Sequence, residues 1–226
     1  MELNTVGIAG TVAAAPEKYH NIYGQGNVYA LWLDTTRDSG TVDRILVLFQ
    51  EDRIETGSFS AKEWDFTQEG DRAALIEQGG KVEVTGRIQT YKNRETGRTQ
   101  LFVWAHYVAA IPANSQELNV VYIKGEVAKV PVYRETPMGR RITDIMVCVR
   151  SEFSAGFYSY IPCLAWGKLA YRAAEFPEGT TVYLEGRIQS REYVKRTPEG
   201  DKLLTTWEVS AHKLEARIEG NQGSGN

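Results

Sequence analysis

Apolar and polar residues alternate along most of this chain, the period-two rhythm of half-buried strands. Between residues 118 and 211 that rhythm predicts five strands. Val121, Ile123 and Val127 share one phase in the first. Ile145, Val147 and Val149 share it in the second, after the turn Thr136-Pro137-Met138-Gly139. Ile161, Cys163 and Ala165 follow in the third, and Val182, Leu184 and Ile188 in the fourth, which starts near Thr181. A polar hairpin at 197–201 leads to a fifth strand around Leu204–Ala211. Between strands three and four, Leu169, Ala173 and Phe176 fall at helical spacing, stopped by Pro177 and Gly179. The order β-β-β-α-β-β, with Gly125 and Gly186 where strands must bend, predicts an all-β fold. It is a five-stranded Greek-key barrel with a short helix, the OB fold. An SH3-like barrel is the rival, and the helix between strands three and four favours OB.

The same unit occurs twice. LNTVGIAGTVAAAP at 3–16 returns as LNVVYIKGEVAKVP at 118–131, matched positions lying 115 apart. GRIQT at 86–90 returns as GRIQS at 186–190, offset by 100, so about 15 extra residues lie inside the first copy. Shared apolar rhythm arises by chance; ordered Asn, Gly, Arg and Gln do not, so the chain reads as a tandem duplication. The first copy predicts strands near 3–13, 28–36, 43–50, 81–91 and 99–109. Its extra residues fall at 51–70, a polar surface insertion, ahead of a short helix over Asp71–Gln78. The expected organisation is therefore two tandem OB folds, 1–112 and 118–217, with a linker at 111–117 and a disordered tail at 218–226.

Bulk properties narrow the function classes. No apolar run approaches the ~20 residues of a membrane span, and MELNTV lacks the form of a signal peptide. Cys148 and Cys163 are too few for a disulfide framework, which points to a reducing cytoplasm. The net charge of −3 hides an asymmetry: residues 1–115 carry 11 Lys+Arg against 15 Asp+Glu, and residues 116–226 carry 15 against 14. A polyanion would favour the second copy. His20, His106 and His212 are scattered, with no carboxylate or cysteine at metal-ligand spacing, and no phosphate loop or nucleophile elbow occurs. The expectation is a protein without catalytic activity, cofactor or metal.

The solvent phase of the second copy is more informative. Opposite Ile161, Cys163 and Ala165 stand Tyr158, Tyr160, Leu164 and Trp166; opposite Val182, Leu184 and Ile188 stand Arg187, Gln189, Arg191, Tyr193 and Lys195. Aromatics interleaved with cations suit single-stranded nucleic acid. Bases stack on rings for roughly 1–3 kcal/mol each while cations follow the phosphates.

NVVYIKGEVAKVPVYRETPMGRRITDIMVCVR, YIPCLAWGKLAYRAAEF and VYLEGRIQSREY together resemble the bacterial single-stranded DNA-binding protein family. The likeness covers most of 118–213. It implies OB folds in a set of four that wrap single-stranded DNA, stacking bases on Phe153, Tyr160, Trp166 and Tyr193. It also implies basic contacts at Arg134, Lys168 and Arg191, to which the face adds Arg187 and Lys195. Two tandem chains would supply four barrels, so a homodimer is expected, in the cytoplasm on the nucleoid. In copy one the same alignment sets Asn93 and Phe49 opposite Tyr193 and Trp166, and about Asp43 and Ser39 opposite Tyr160 and Phe153. Asp43 there would repel phosphate, so copy two is the expected principal binder. Phe49, Arg87, Tyr91 and Lys92 are secondary candidates. The family typically ends in an acidic tip with a terminal Phe that recruits replication and repair partners; EGNQGSGN has neither feature, which argues against recruitment by that route. Alternatives are a primosome-type or mobile-element accessory protein, an interaction scaffold without DNA binding, and an RNA-binding OB module.

Overall fold

The computed structural model describes residues 3–22, 26–59, 71–92, 97, 99–151, 156–197 and 200–217. Copy one forms β1 (Leu3–Ile22), β2 (Gly26–Thr36), β3 (Val42–Gln50), β4 (Lys81–Lys92) and β5 (Thr99–Ala110). Copy two forms β6 (Leu118–Val127), β7 (Val132–Glu135), β8 (Arg141–Arg150), β9 (Tyr158–Trp166), α1 (Lys168–Ala174), β10 (Thr181–Thr197) and β11 (Gly200–Arg217). Each set closes on itself. The row β2-β3-β5-β4-β1 returns through β1–β2 pairing, and β6-β10-β11-β9-β8 returns through β6–β8. The β3–β5 and β9–β11 pairings are parallel, and these crossovers complete two OB barrels. The phases read from sequence point as expected: Val121, Ile123, Ile145, Val147, Ile161, Cys163, Leu184 and Ile188 are all buried.

The repeated polar residues have structural reasons. Asn4 Nδ2 donates to the Ile88 carbonyl (2.8 Å) and its Oδ1 accepts from the Ile88 N–H (3.0 Å). Asn119 does the same to Ile188 at 2.8 and 2.9 Å. Each amide thus continues a ladder where two strands part, satisfying groups that would otherwise be buried alone. Gly86 and Gly186 sit at matching register shifts in β4 and β10. A Cβ there would collide with the carbonyl oxygens of Trp104 and Ser210. Gly186→Ala is expected to cost about 1–3 kcal/mol, the range for forcing atoms into a packed site, read as a lower urea midpoint; an unchanged midpoint would contradict this.

The two barrels join through β1 and β6, which pair antiparallel from Leu3↔Lys124 to Ala9↔Leu118. The central pair is Val6↔Val121, and these are the same position of the repeat. The junction is therefore a pseudo-two-fold interface of the kind two identical subunits make, built here within one chain. It extends beyond the strands. Ser159 Oγ donates to Gln89 Oε1 (2.8 Å) and the Tyr160 N–H to Thr90 Oγ1 (3.1 Å). At the symmetry-related place, the Ser190 N–H donates to Asp43 Oδ1 (2.7 Å).

Several expectations are corrected. The helix over Asp71–Gln78 is only a 3₁₀ turn at Ala73–Leu75, because Ala73 and Ile76 are both buried and their three-residue spacing suits that tighter turn. The first part of the insertion is not surface loop: Ile54 is 5% exposed and bridges Val108, while the Glu55 N–H donates to the Val108 carbonyl (2.8 Å). Residues 60–70 and the tail at 218–226 lie outside the described residues. The helix of copy two spans Lys168–Ala174, one residue earlier than expected at its start, with Ala170 and Ala173 buried. No helix among the described residues is long and apolar enough to cross a membrane.

Candidate nucleic-acid interface

The outward phase of β8, β9, β11 and β10 forms the candidate face. Tyr160 lies on β9 with half of its surface open, and Tyr193 on β10 with 36%. Trp166 ends β9, half-buried, its Nε1 donating to Ser210 Oγ (3.1 Å). That bond fixes the indole plane while leaving part of the ring accessible. Each ring borders a separate recess. Trp166 lines one of about 520 Å³ with Arg140 and Arg187, Tyr193 one of about 500 Å³ with Pro162 and Trp207, and Tyr160 one of about 400 Å³ with Arg150 and Tyr158. The structure places all three on the barrel exterior but gathers them into no common pocket. Phe153 lies outside the described residues, as does the side chain of Lys195.

The cations are held with differing firmness. Arg191 sits 5.7 Å over the Tyr193 ring, a cation–π contact, with its Nε 3.4 Å from Glu208. Glu208, 6% exposed, also accepts from Gln189 Nε2 (2.8 Å). Arg134 chelates Asp144 at 2.6 and 3.2 Å, and that carboxylate holds the guanidinium above its ordinary pKa. Both partners of the pair are more than two-fifths exposed, so it is worth at most about 1 kcal/mol and a phosphate can replace the carboxylate. Lys168, first residue of α1, is exposed. Among the described residues, the Nε of Arg187 is buried without a hydrogen-bond partner. One expectation fails: Leu164, assigned to the open face, is 2% exposed.

Comparison with known proteins points the same way for copy two. The model of the "Single-strand binding protein family" matches residues 118–216. Those residues are similar to that family. Single-stranded DNA-binding protein A of Bacillus subtilis is 30% identical over 116 residues, covering 48% of this chain and 66% of that protein. The single-stranded DNA-binding protein of Thermus thermophilus is 24% identical over 169 residues, covering 67% and 63%. The chain thus spans less than two thirds of the length of either relative. Crystal structures of the single-stranded DNA-binding protein from Thermus aquaticus, wild-type and a deletion mutant, superpose over 99% of this chain with TM-scores of 0.66 and 0.67 at 21% identity. The tandem OB architecture is therefore shared along the whole length.

The family match stops at copy two, and the structure revises how copy one compares. Val47 pairs Val103 as Cys163 pairs Val209, while Val103 and Val209 pair the repeated residues Ile88 and Ile188. Val47 therefore corresponds to Cys163, which makes Phe49 the counterpart of Ala165 rather than of Trp166. The counterparts of Trp166 and Tyr160 become Gln50 and Arg44. A one-residue slip moves every side chain to the other face. Phe49 is accordingly a core residue, 0% exposed and stacked on Tyr29 at 5.9 Å, and is withdrawn as a nucleic-acid contact. Asp43, expected to repel phosphate, is fully buried, and Arg37 chelates it. Arg87 and Lys92 are exposed. Tyr91 packs on Phe102 and bonds Tyr19 through the hydroxyls (2.7 Å). Burial, then that bond, pushes its phenol up to about 12, so it stays neutral at working pH.

Sequence reasoning missed Trp207. It lies on β11, where its ring meets Trp32 of copy one at 6.0 Å and its Nε1 donates to the Arg44 carbonyl (2.7 Å). Trp207 falls inside the strand expected around Leu204–Ala211, but alternation along that strand does not show that a ring of copy one lies opposite it.

Proposed function

We propose that this chain binds single-stranded DNA without catalysis and largely without sequence preference, serving replication, recombination or repair in the cytoplasm, on the nucleoid. Two OB units, 1–112 and 118–217, would form the chain, with the second as principal binder. Bases stack on Tyr160, Trp166 and Tyr193, joined by Phe153. Arg134, Lys168, Arg187, Arg191 and Lys195 follow the phosphates. The carrying observation is three accessible rings on the outer face of a barrel whose residues 118–216 are similar to the single-strand binding family. Anisotropy of labelled oligo-dT should show log K falling linearly with log salt, by roughly 0.7 per phosphate contact on a single strand. Affinity independent of salt, or equal competition by matched RNA, would contradict the reading.

The functional form is proposed to be a homodimer with four barrels. The outer surface of the β1–β6 junction leaves Leu3, Leu118 and Tyr122 well exposed, at 39, 50 and 40%. They lie about the pseudo-two-fold axis, so a second copy can meet the same patch with itself. Light scattering should give twice the chain mass, and Leu118→Glu with Tyr122→Glu should reduce it to one. A unimolecular wild type at micromolar concentration would overturn this.

A further inference from the structure

The seam between the copies holds a groove that neither copy makes alone. Three neighbouring recesses run beside it. The one next to Trp166 contains Arg140 and Arg187 of copy two together with Arg37 of copy one. Arg37 also lines the next recess, about 650 Å³, where Trp32 and Arg44 of copy one face Arg191 and Trp207 of copy two. Thr205 and Trp207 are shared in turn with the third, which reaches Tyr193 and includes Gln100 of copy one. Read in order, the shared residues trace a path from Trp166 past Arg37 and Trp207 to Tyr193.

We infer that a single strand lies along this seam, with copy one supplying one wall of the site through Trp32, Arg37 and Arg44. The inference rests on the reading that the chain binds single-stranded DNA, and it names the path.

Four features suit a strand rather than a plain domain contact. Rings and guanidinium groups stand together in the first two recesses and rings continue into the third, the equipment that stacked bases and their phosphates require. Arginines outnumber acids on its walls: Arg37, Arg44, Arg140, Arg187 and Arg191 stand against Asp34 and Glu192. Two of the arginines are aimed in advance by carboxylates of copy one. Arg44 is chelated by Asp34, both bonds 2.8 Å, and Arg37 by the buried Asp43. Chelation fixes their direction and leaves other N–H groups for a phosphate. Among the described residues none satisfies the Nε of Arg187, a buried donor that a phosphate oxygen in the Trp166 recess would complete. Copy one then matters for binding although Gln50 and Arg44 stand where copy two has Trp166 and Tyr160.

Two measurements test the path. In the first, oligo-dT carrying 5-iododeoxyuridine is photo-crosslinked to the unmutated full-length chain and the adducts are mapped. Adducts at Trp207 or Trp32 are expected; adducts confined to Tyr160 and residues away from the seam would overturn the path while leaving DNA binding intact. In the second, Arg44→Gln with Arg140→Gln, two surface changes checked by circular dichroism, should lower the slope of log K against log salt by about 1.4, or roughly 0.7 per lost phosphate contact. An unchanged slope would overturn the path. No binding of oligo-dT by the unmutated chain would overturn both the path and the functional reading beneath it.

Discussion

Replacing Tyr160, Trp166 and Tyr193 together by alanine is expected to weaken oligo-dT binding at least about a hundredfold at fixed low salt. Each base stacked on a ring contributes roughly 1–3 kcal/mol, and even the lower figure, taken three times, reaches the ~2.8 kcal/mol that corresponds to a hundredfold. Losses at residues serving one strand are not additive, so the lower figure is the safer basis. The three rings are exposed or half-exposed, and their removal leaves the barrel core untouched. The variant should therefore melt within a few degrees of the wild type. Anisotropy titration reads the first quantity and thermal melting the second. Affinity within threefold of wild type, in a folded variant, would end the assignment of this face.

Asp43→Ala should be the most destabilising single change at the seam, costing about 3 kcal/mol. Asp43 is completely buried. It accepts from Arg37 Nε (2.7 Å), from Arg37 Nη2 and from the Ser190 N–H (2.7 Å), so one carboxylate ties β3 to both the β2–β3 turn and β10. Arg37 in turn donates to the Ser190 carbonyl (3.1 Å). Removing one partner of a buried pair costs about 3–5 kcal/mol, because the other charge stays behind uncompensated. Arg37 keeps about a fifth of its side chain in solvent, which favours the low end. Among the described residues, neutral bonds join the opposite side of the pseudo-two-fold: Ser159 and Ser151 donate to Gln89, the Thr90 N–H to Ser159 and the Tyr160 N–H to Thr90. Ser159→Ala should accordingly cost about 1 kcal/mol. Urea denaturation of the two variants measures the contrast, and a double-mutant cycle with Arg37→Ala isolates the pair. A loss below 1 kcal/mol for Asp43→Ala would show that the seam is held elsewhere.

The strand pattern, the duplication and the closed barrels were legible in the sequence because a period of two leaves little freedom. Once Ile161, Cys163 and Ala165 point inward, Tyr160 and Trp166 cannot. The repeated Asn and Gly identified equivalent positions, and the structure supplies their cause in strand-end amides and crowded carbonyls. Register in copy one was harder. The offset of 115 at β1 becomes 116 at β3, and without the ladder nothing in the run VDRILVLFQ, whose central residues are apolar on both phases, reveals the slip that turned Phe49 inward. The helix expected over Asp71–Gln78 failed because two buried positions, not helical periodicity, set that turn. The Trp32–Trp207 contact was out of reach for another reason: it depends on how the exteriors of two barrels approach, which alternation along one strand does not encode.

Base stacking is most directly separated from plain charge attraction by comparing oligo-dT with an abasic oligomer of the same length and phosphate number, titrated into the wild-type chain while tryptophan emission is followed. Oligo-dT should quench that emission, and the abasic strand should quench it little and bind about a hundredfold or more weakly. Equal affinity for the two strands would mean that the rings contribute nothing and that phosphates alone are held.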